Sequence, residues 1–341
     1  MGMLLSDQTL FRNEDVFSPN HVPEDVLYRE LQIREMVLSA KPAMRGGRAQ
    51  NCFLVGPPAT GKTTCARLVA KEASSNKVFI AYVNCSIYDT TFKIFSEIQR
   101  CLFGFAPAET GVPLNVVYDK IFSHLSKEKK ALIVILDESD RLFSRQSDVF
   151  YKILRAHEVY SNARTTLWSI SANDNMHRLD DKVRSIFMPN VIKFGKYSFK
   201  ETREILKRRC DEGLYKGVVS GKILDNICEN AADLRQAIET MRRAVVAAEN
   251  EALESVEMRH AEKFLVAGHP ATEKPVSEDE KILTEALKNP VDSGRLFGSL
   301  EGRMSYSKFY RLLKKMESSG TIEVTPASKG KGKTSIISLK K

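Results

Sequence analysis

The chain has 341 residues, 43% apolar and 28% charged, which is ordinary for a globular protein and too long for one typical core, so two or three domains are expected. No apolar run approaches the roughly 20 residues that span a bilayer and no leader-type segment opens the chain, so a cytoplasmic setting is expected. The net charge is +9, and ten Lys or Arg against only Glu317 and Glu323 fall between Arg303 and Lys341, which points to a polyanionic partner for that end.

Residues 1–20 lack periodicity and read as an N-terminal arm. From 21 to 196, apolar runs at 51–55, 79–84, 132–136, 166–171 and 190–194 alternate with helical patterns. That alternation predicts an α/β nucleotide-binding domain, a parallel sheet flanked by helices. Residues 197–268 read as all-helical, with helices opening after Ser198 and running over about 219–229, 233–252 and 257–266. Residues 269–277 have linker composition. Residues 278–341 read as helix (Asp279–Leu287, with Ile282, Leu283 and Leu287 inward), helix (about 291–301), helix (Ser305–Glu317), strand (Thr321–Val324), basic loop and strand (Thr334–Leu339). Six cysteines stand at 52, 65, 85, 101, 210 and 228 with no C-x-x-C, arguing against a zinc site or a disulfide framework. Cys52, Cys65 and Cys228 have apolar neighbours and read as core.

The stretch Gly56-Pro57-Pro58-Ala59-Thr60-Gly61-Lys62-Thr63 fits the phosphate-binding pattern G-x-x-x-x-G-K-[ST]. It follows a strand-type run and precedes a helix that opens near Thr64. Glycines let backbone N–H groups face a polyphosphate, and the helix start adds positive potential. Lys62 would reach the outer phosphates, and the Thr63 hydroxyl would complete a Mg²⁺ site. A chance glycine turn would not come with this strand–loop–helix order. The run Leu132–Leu136 leads into Asp137-Glu138-Ser139-Asp140. Asp137 would hold Mg²⁺ through water, and Glu138 would activate the attacking water. Alone, such a pair could be an ordinary acidic strand end. Asn173 follows a third strand and has the amide needed to hold both water and phosphate, although turns often carry Asn. Arg235 opens the long helix of the second domain, where it is either an exposed arginine or a reporter of the γ-phosphate.

In the C-terminal part, Phe309, Leu312, Leu313 and Met316 form one stripe of a helix, and Lys308, Arg311 and Lys315 the opposite one. Ser305 and Ser307 lie at its start. Ser328-Lys329-Gly330-Lys331-Gly332-Lys333 reads as a flexible basic loop, with Lys329, Lys331 and Lys333 suited to phosphates. The order of elements resembles a winged helix, with a major-groove helix and a phosphate-touching wing.

Over about residues 20–340 the chain resembles an AAA+ ATPase of the replication-initiator family that includes origin recognition complex subunits and cell division cycle protein six, in its archaeal form. In that family Gly56–Thr63 matches Walker A, Asp137-Glu138 Walker B, Asn173 sensor 1 and Arg235 sensor 2. A segment resembling His21–Glu30, with Val26, Tyr28 and Arg29, borders the adenine. Val83-Asn84-Cys85 through Thr110-Gly111 resembles the segment holding an initiator-specific insertion that touches DNA. The resemblance implies ATP/ADP and Mg²⁺ as ligands, catalytic roles for Glu138, Asn173 and Arg235, double-stranded origin DNA, other initiator subunits and the replicative helicase as partners, and a nucleoid-associated protein. Three departures stand out: Ala59 and Ala232 replace glycines, and Ile186 occupies the place of a trans-acting arginine finger that Arg184 could only partly supply. Two rivals remain, a DNA-bound regulator with little turnover and another AAA+ ATPase that processes DNA structures.

Overall fold

A computed structural model gives the structure of the protein and describes residues 9–108, 110–265, 283, 287, 291–299, 306–318, 322–329 and 332–339. The chain divides into two compact units, Met1–Gly268 and His269–Lys341.

The first unit runs α1 (Glu30–Met44), β1 (Cys52–Val55), α2 (Lys62–Ala73), β2 (Val78–Asn84), α3 (Thr91–Phe103), α4 (Leu114–Glu128), β3 (Ala131–Asp137), α5 (Leu142–Arg145), α6 (Asp148–Leu154), β4 (Arg164–Ser171), α7 (Asp181–Phe187) and β5 (Asn190–Lys193). The strands form one parallel sheet in the order β2-β3-β4-β1-β5. All seven residues of β3 are buried, because the sheet is covered on both faces. Leu132, Val134 and Leu136 pack among residues of α3, α4 and α6, while Ala131, Ile133 and Ile135 pack among those of α1 and α2. A strand pointing alternate residues at two cores must be apolar throughout, and the continuous run in the sequence reflects that. The order β3-β4-β1 brings the carboxyl ends of three strands side by side, where ligands bind in open α/β sheets.

A helical layer follows: α8 (Phe199–Gly213), α9 (Gly221–Asn230), α10 (Leu234–Asn250) and α11 (Met258–Leu265). Ser198 starts α8 with a reciprocal capping box to Glu201. Residues 9–20 depart from the expected free arm. Phe11, Val16 and Phe17 are buried in the helical core, and Phe11 bridges to Leu214. Arg12 donates to the carbonyls of Asp211 and Glu212 at the end of α8. Three apolar residues in an irregular segment leave no periodic signal, so the sequence concealed this packing. Gly213 permits it, since a Cβ there would lie 2.5 Å from the Phe17 ring.

The second unit contains β6 (Val291–Asp292), α12 (Ser293–Ser299), α13 (Tyr306–Ser318), β7 (Ile322–Lys329) and β8 (Gly332–Leu339), with antiparallel sheet order β6-β8-β7. Leu283, Leu287, Leu296, Phe309, Leu313, Met316, Ile322 and Ile337 form its core. Two expectations are corrected here. The second helix starts at Ser293 rather than 291, because Val291 and Asp292 pair with β8 and Asp292 accepts from the Gly294 amide at 2.9 Å. The basic loop is shorter than six residues, because the ladder runs out to Lys329 opposite Gly332. Glycine and lysine read as loop in the sequence, but Ser328, Lys329, Gly332 and Lys333 are paired in the ladder. Of the expected helix Asp279–Leu287, only Leu283 and Leu287 lie within the described residues.

The arm's packing is testable. Replacing Phe17, which is 1% exposed, by Ala should cost about 3 kcal/mol, the usual loss for a buried phenylalanine. Urea titration would read it, and a change under about 0.5 kcal/mol would return residues 9–20 to a free arm.

Candidate nucleotide site and basic helix

The loop after β1 is shaped from behind. A Cβ on Gly56 would lie 2.1 Å from the Phe194 carbonyl oxygen, and one on Gly61, whose φ is +89°, would lie 2.8 Å from the Tyr197 hydroxyl. Neither position admits a side chain. Ala59 has φ +58°, the left-handed region that a Cβ disfavours. The carbonyls of Gly56 and Pro57 accept from Lys62 Nζ at 2.5 and 2.7 Å. Those of Thr60 and Gly61 are taken by Arg29 Nε and the Cys65 amide. None of the amides of Ala59 to Thr63 has an acceptor among the described residues. The carbonyls are thus satisfied inward and the N–H groups left for an anion. Burial, first, lowers the Lys62 pKa; Asp137 and Asp140 oppose that, and Arg235 adds to it.

Across the cleft, Thr63 Oγ1 donates to Asp137 Oδ2 at 2.7 Å. The Tyr82 hydroxyl donates to the same oxygen at 2.5 Å, with the Arg67 guanidinium 4.6 Å above its ring. Burial and then Asp137 push the Tyr82 phenol up. Thr63 and Asp137 are adjacent hard oxygen donors, as Mg²⁺ requires. No cluster of three or more His, Cys, Asp or Glu suited to a metal occurs among the described residues. Glu138 also sits at positive φ, 54°, and its carboxylate accepts from the Ser86 hydroxyl. Asp140 accepts from the Ser171 hydroxyl and, at 3.1 Å, from the Ala172 amide, tying the turn after β3 to the end of β4.

The helical layer supplies the other wall. Asp233 caps α10 by accepting from the Gln236 amide at 2.9 Å, and Gln236 accepts from the Ala232 amide at 2.6 Å. This cap places Arg235 in the first turn, beside the cleft. Neither α2 nor α10 has an acid in its first turn, and Lys62 and Arg235 stand there instead, against the helix dipole. Two cations at two positive helix ends favour an anion between them. Ala232 is not at positive φ, so its Cβ meets no left-handed backbone penalty there.

The cleft has a volume of about 1080 Å³. Val26, Pro58, Ala59, Thr60, Gly61, Lys62, Thr63, Thr64, Asp137, Glu138 and Arg235 all line it. Gly56 and Pro57 do not; they brace the loop from behind through their carbonyls. Tyr28 and Arg29 are also off the cleft wall. Tyr28, at φ 63°, donates its hydroxyl to Glu204, which raises its pKa to about 12. Arg29 is 5% exposed, with its guanidinium spent on backbone carbonyls. Asn173 is exposed beyond β4 and outside the lining, whereas Ser171 and Ala172 face the cleft. Ile186 packs on the sheet core, and Arg184 pairs with Asp181. Sequence reasoning passed over Tyr82, Ser86 and Asp140; only Asp140, inside the D-E-S-D run, left a signal.

On α13, Lys308 and Arg311 are exposed opposite the Phe309–Leu313–Met316 stripe. Lys314, not singled out in the sequence, lies 5.8 Å from the exposed Tyr310 ring. Ser305 and Lys331 lie outside the described residues, as do the side chains of Ser307, Lys315, Lys329 and Lys333.

Ala59→Gly should stabilise the nucleotide-free protein by about 1 kcal/mol, the penalty of a Cβ at positive φ. Thermal unfolding would show it, and a lowered midpoint would mean the surrounding loop bears no such strain.

Comparison with known proteins bears on this site. Residues 52–195 match the ATPase family associated with various cellular activities (AAA), and residues 203–263 match the Cdc6 AAA+ ATPase-type lid domain. The ORC1-type DNA replication protein 2 of Methanothermobacter thermautotrophicus is 36% identical, over 96% of this chain and 91% of that protein. Its counterpart from Methanosarcina mazei is 33% identical over 99% and 95%. Among solved structures, the fold is similar to the Aeropyrum pernix ORC1 protein in complex with DNA (TM-score 0.69, 24% identity, 96% and 93% covered). It is similar also to the Aeropyrum pernix ORC2 protein in ADPNP–ADP complexes (TM-score 0.73, 21% identity, 97% and 94% covered). An AAA+ sheet, a Cdc6-type lid and near-full-length identity to these relatives together make the chain an ATPase of the ORC1-type DNA replication protein family.

Proposed function

We propose that this initiator binds Mg·ATP in the cleft between sheet and lid, hydrolyses it slowly, and uses nucleotide state as a switch while holding duplex origin DNA. The observation that carries the reading is the meeting of Lys62, Thr63, Asp137, Glu138 and Arg235 on one cleft. Lys62 leaves the Gly56 and Pro57 carbonyls for the outer phosphates. Thr63 and Asp137 would hold Mg²⁺, which would neutralise phosphate charge when bound. Glu138 accepts the proton of the attacking water, and Arg235 meets the γ-phosphate from the lid. Asn173 would need to turn in from its exposed place to assist.

The C-terminal unit is read as a winged helix. Its support is the antiparallel hairpin following α13 and the exposed Lys308 and Arg311. From the sequence pattern, Lys315, Ser305 and Ser307 are assigned to the same DNA contact, and Lys329, Lys331 and Lys333 to phosphate contacts. The loop between α3 and α4, whose Phe105 ring lies 4.4 Å from Lys120 on α4, is read as a second DNA contact. Other initiator subunits and the replicative helicase complete the proposed partners, in the cytoplasm at the nucleoid. A second reading, a nucleotide-holding regulator with little turnover, draws on Ile186 being partly buried against the core and Arg184 being paired.

Lys62→Ala should abolish tight ATP binding with the fold intact, and Glu138→Gln should keep binding while losing turnover. Unchanged affinity in the first would remove the ATP reading. Equal and negligible turnover in the wild type and in Glu138→Gln would favour the regulator. For DNA, Lys329, Lys331 and Lys333 changed together to Ala should weaken all duplexes alike and reduce the salt slope by up to about 2.7. Arg311→Ala should cost about 1–3 kcal/mol on the preferred site and much less on random DNA. Competition binding across a salt series would reverse these assignments if only the wing variant lost site preference.

A further inference from the structure

Arg29 is a buried cation, and its side-chain hydrogen bonds among the described residues go to backbone carbonyls rather than to a carboxylate. Its charge is met by backbone instead. Nε donates to the Thr60 carbonyl at 2.9 Å, Nη1 to the Tyr28 carbonyl at 2.7 Å and Nη2 to the Gly195 carbonyl at 2.7 Å. Its plane lies 3.8 Å from the Tyr197 ring centre. These partners come from three places. Thr60 is in the phosphate loop. Gly195 and Tyr197 lie in the connector from β5 to the first lid helix. Tyr28 reaches the lid itself, donating to Glu204 on α8. Tyr197 also abuts the loop, where its hydroxyl leaves no room for a Cβ on Gly61.

We propose that Arg29 is a positioning residue that couples the lid connector to the phosphate loop, a role resting on the reading of the cleft as the ATP site. The physical reason is rigidity. A guanidinium is planar, and its donors point in fixed directions, so one carbonyl cannot shift without disturbing the others. The alternative, a swollen or emptied site, leaves a buried charge or three unpaired carbonyls. A movement of the connector therefore displaces Thr60, and a phosphate seated on the loop restrains the connector. Lysine would keep the charge but could not span three carbonyls in one plane.

The test is hydrogen exchange on the full chain, with ADP as the probe, following the amides of 57–61 and 194–198 separately. In the wild type ADP should slow exchange in both segments. In Arg29→Lys it should still protect 57–61, while protection of 194–198 falls about tenfold, the scale set by losing a charge-assisted hydrogen bond. A merely structural role would speed exchange in both segments and leave the ADP-induced protection of 194–198 in place, and that result would overturn the proposal. Tyr197→Leu removes the stacked ring and keeps the fork; it should lose part of the same connector protection, and it decides the matter by the same comparison if Arg29→Lys does not fold. Wild-type protein showing no ADP protection at 57–61 would overturn the nucleotide reading underneath, a failure distinct from loss of coupling.

Discussion

An anion-binding loop must keep its amides free while burying its carbonyls, and the rest of this ATPase unit is arranged around that requirement. Lys62, Arg29 and the Cys65 amide occupy the carbonyls of Gly56, Pro57, Thr60 and Gly61. Phe194 and Tyr197 press so close that only glycine fits at 56 and 61. Loosening this backing would let the carbonyls turn toward the cleft, where they would repel phosphate. The sheet order then matters for a second reason: with β4 between β1 and β3, the end of β3 lies near enough for Asp137 to accept from Thr63.

The lid is held by features of opposite kinds. Apolar burial of Phe11, Val16 and Phe17 fixes the N-terminal segment to its helices. Polar contacts hold its inner edge, through Tyr28 to Glu204 and Arg242 to Glu14. The second set can rearrange at little cost because it is partly exposed, whereas the first cannot.

Much of the sheet was legible in the sequence because its strands are buried on both faces, so runs such as Leu132–Leu136 stand out without alternation. The phosphate loop and the Asp137-Glu138 pair were legible because their spacing is fixed by backbone geometry. What stayed hidden depends on contacts between distant segments. Arg29 looked like a nucleotide contact, yet its three carbonyl partners lie 1, 31 and 166 residues away. Tyr82 gives no local sign that it will meet Asp137, 55 residues on. Asn173 was placed by motif, but it is exposed past the end of β4 and does not line the cleft. Glycine and lysine near 330 suggested a loose wing, although the ladder continues almost to the turn.

The central claim is that one cleft exchanges internal hydrogen bonds for a nucleotide. A crystal structure of the full chain with Mg²⁺ and a non-hydrolysable ATP analogue tests it most directly. The account predicts Lys62 Nζ moved from the Gly56 and Pro57 carbonyls to the outer phosphates, Thr63 and Asp137 both turned to the metal, and Arg235 at the γ-phosphate. A nucleotide bound in this cleft with Lys62 still on those two carbonyls, or bound elsewhere on the chain, would contradict it.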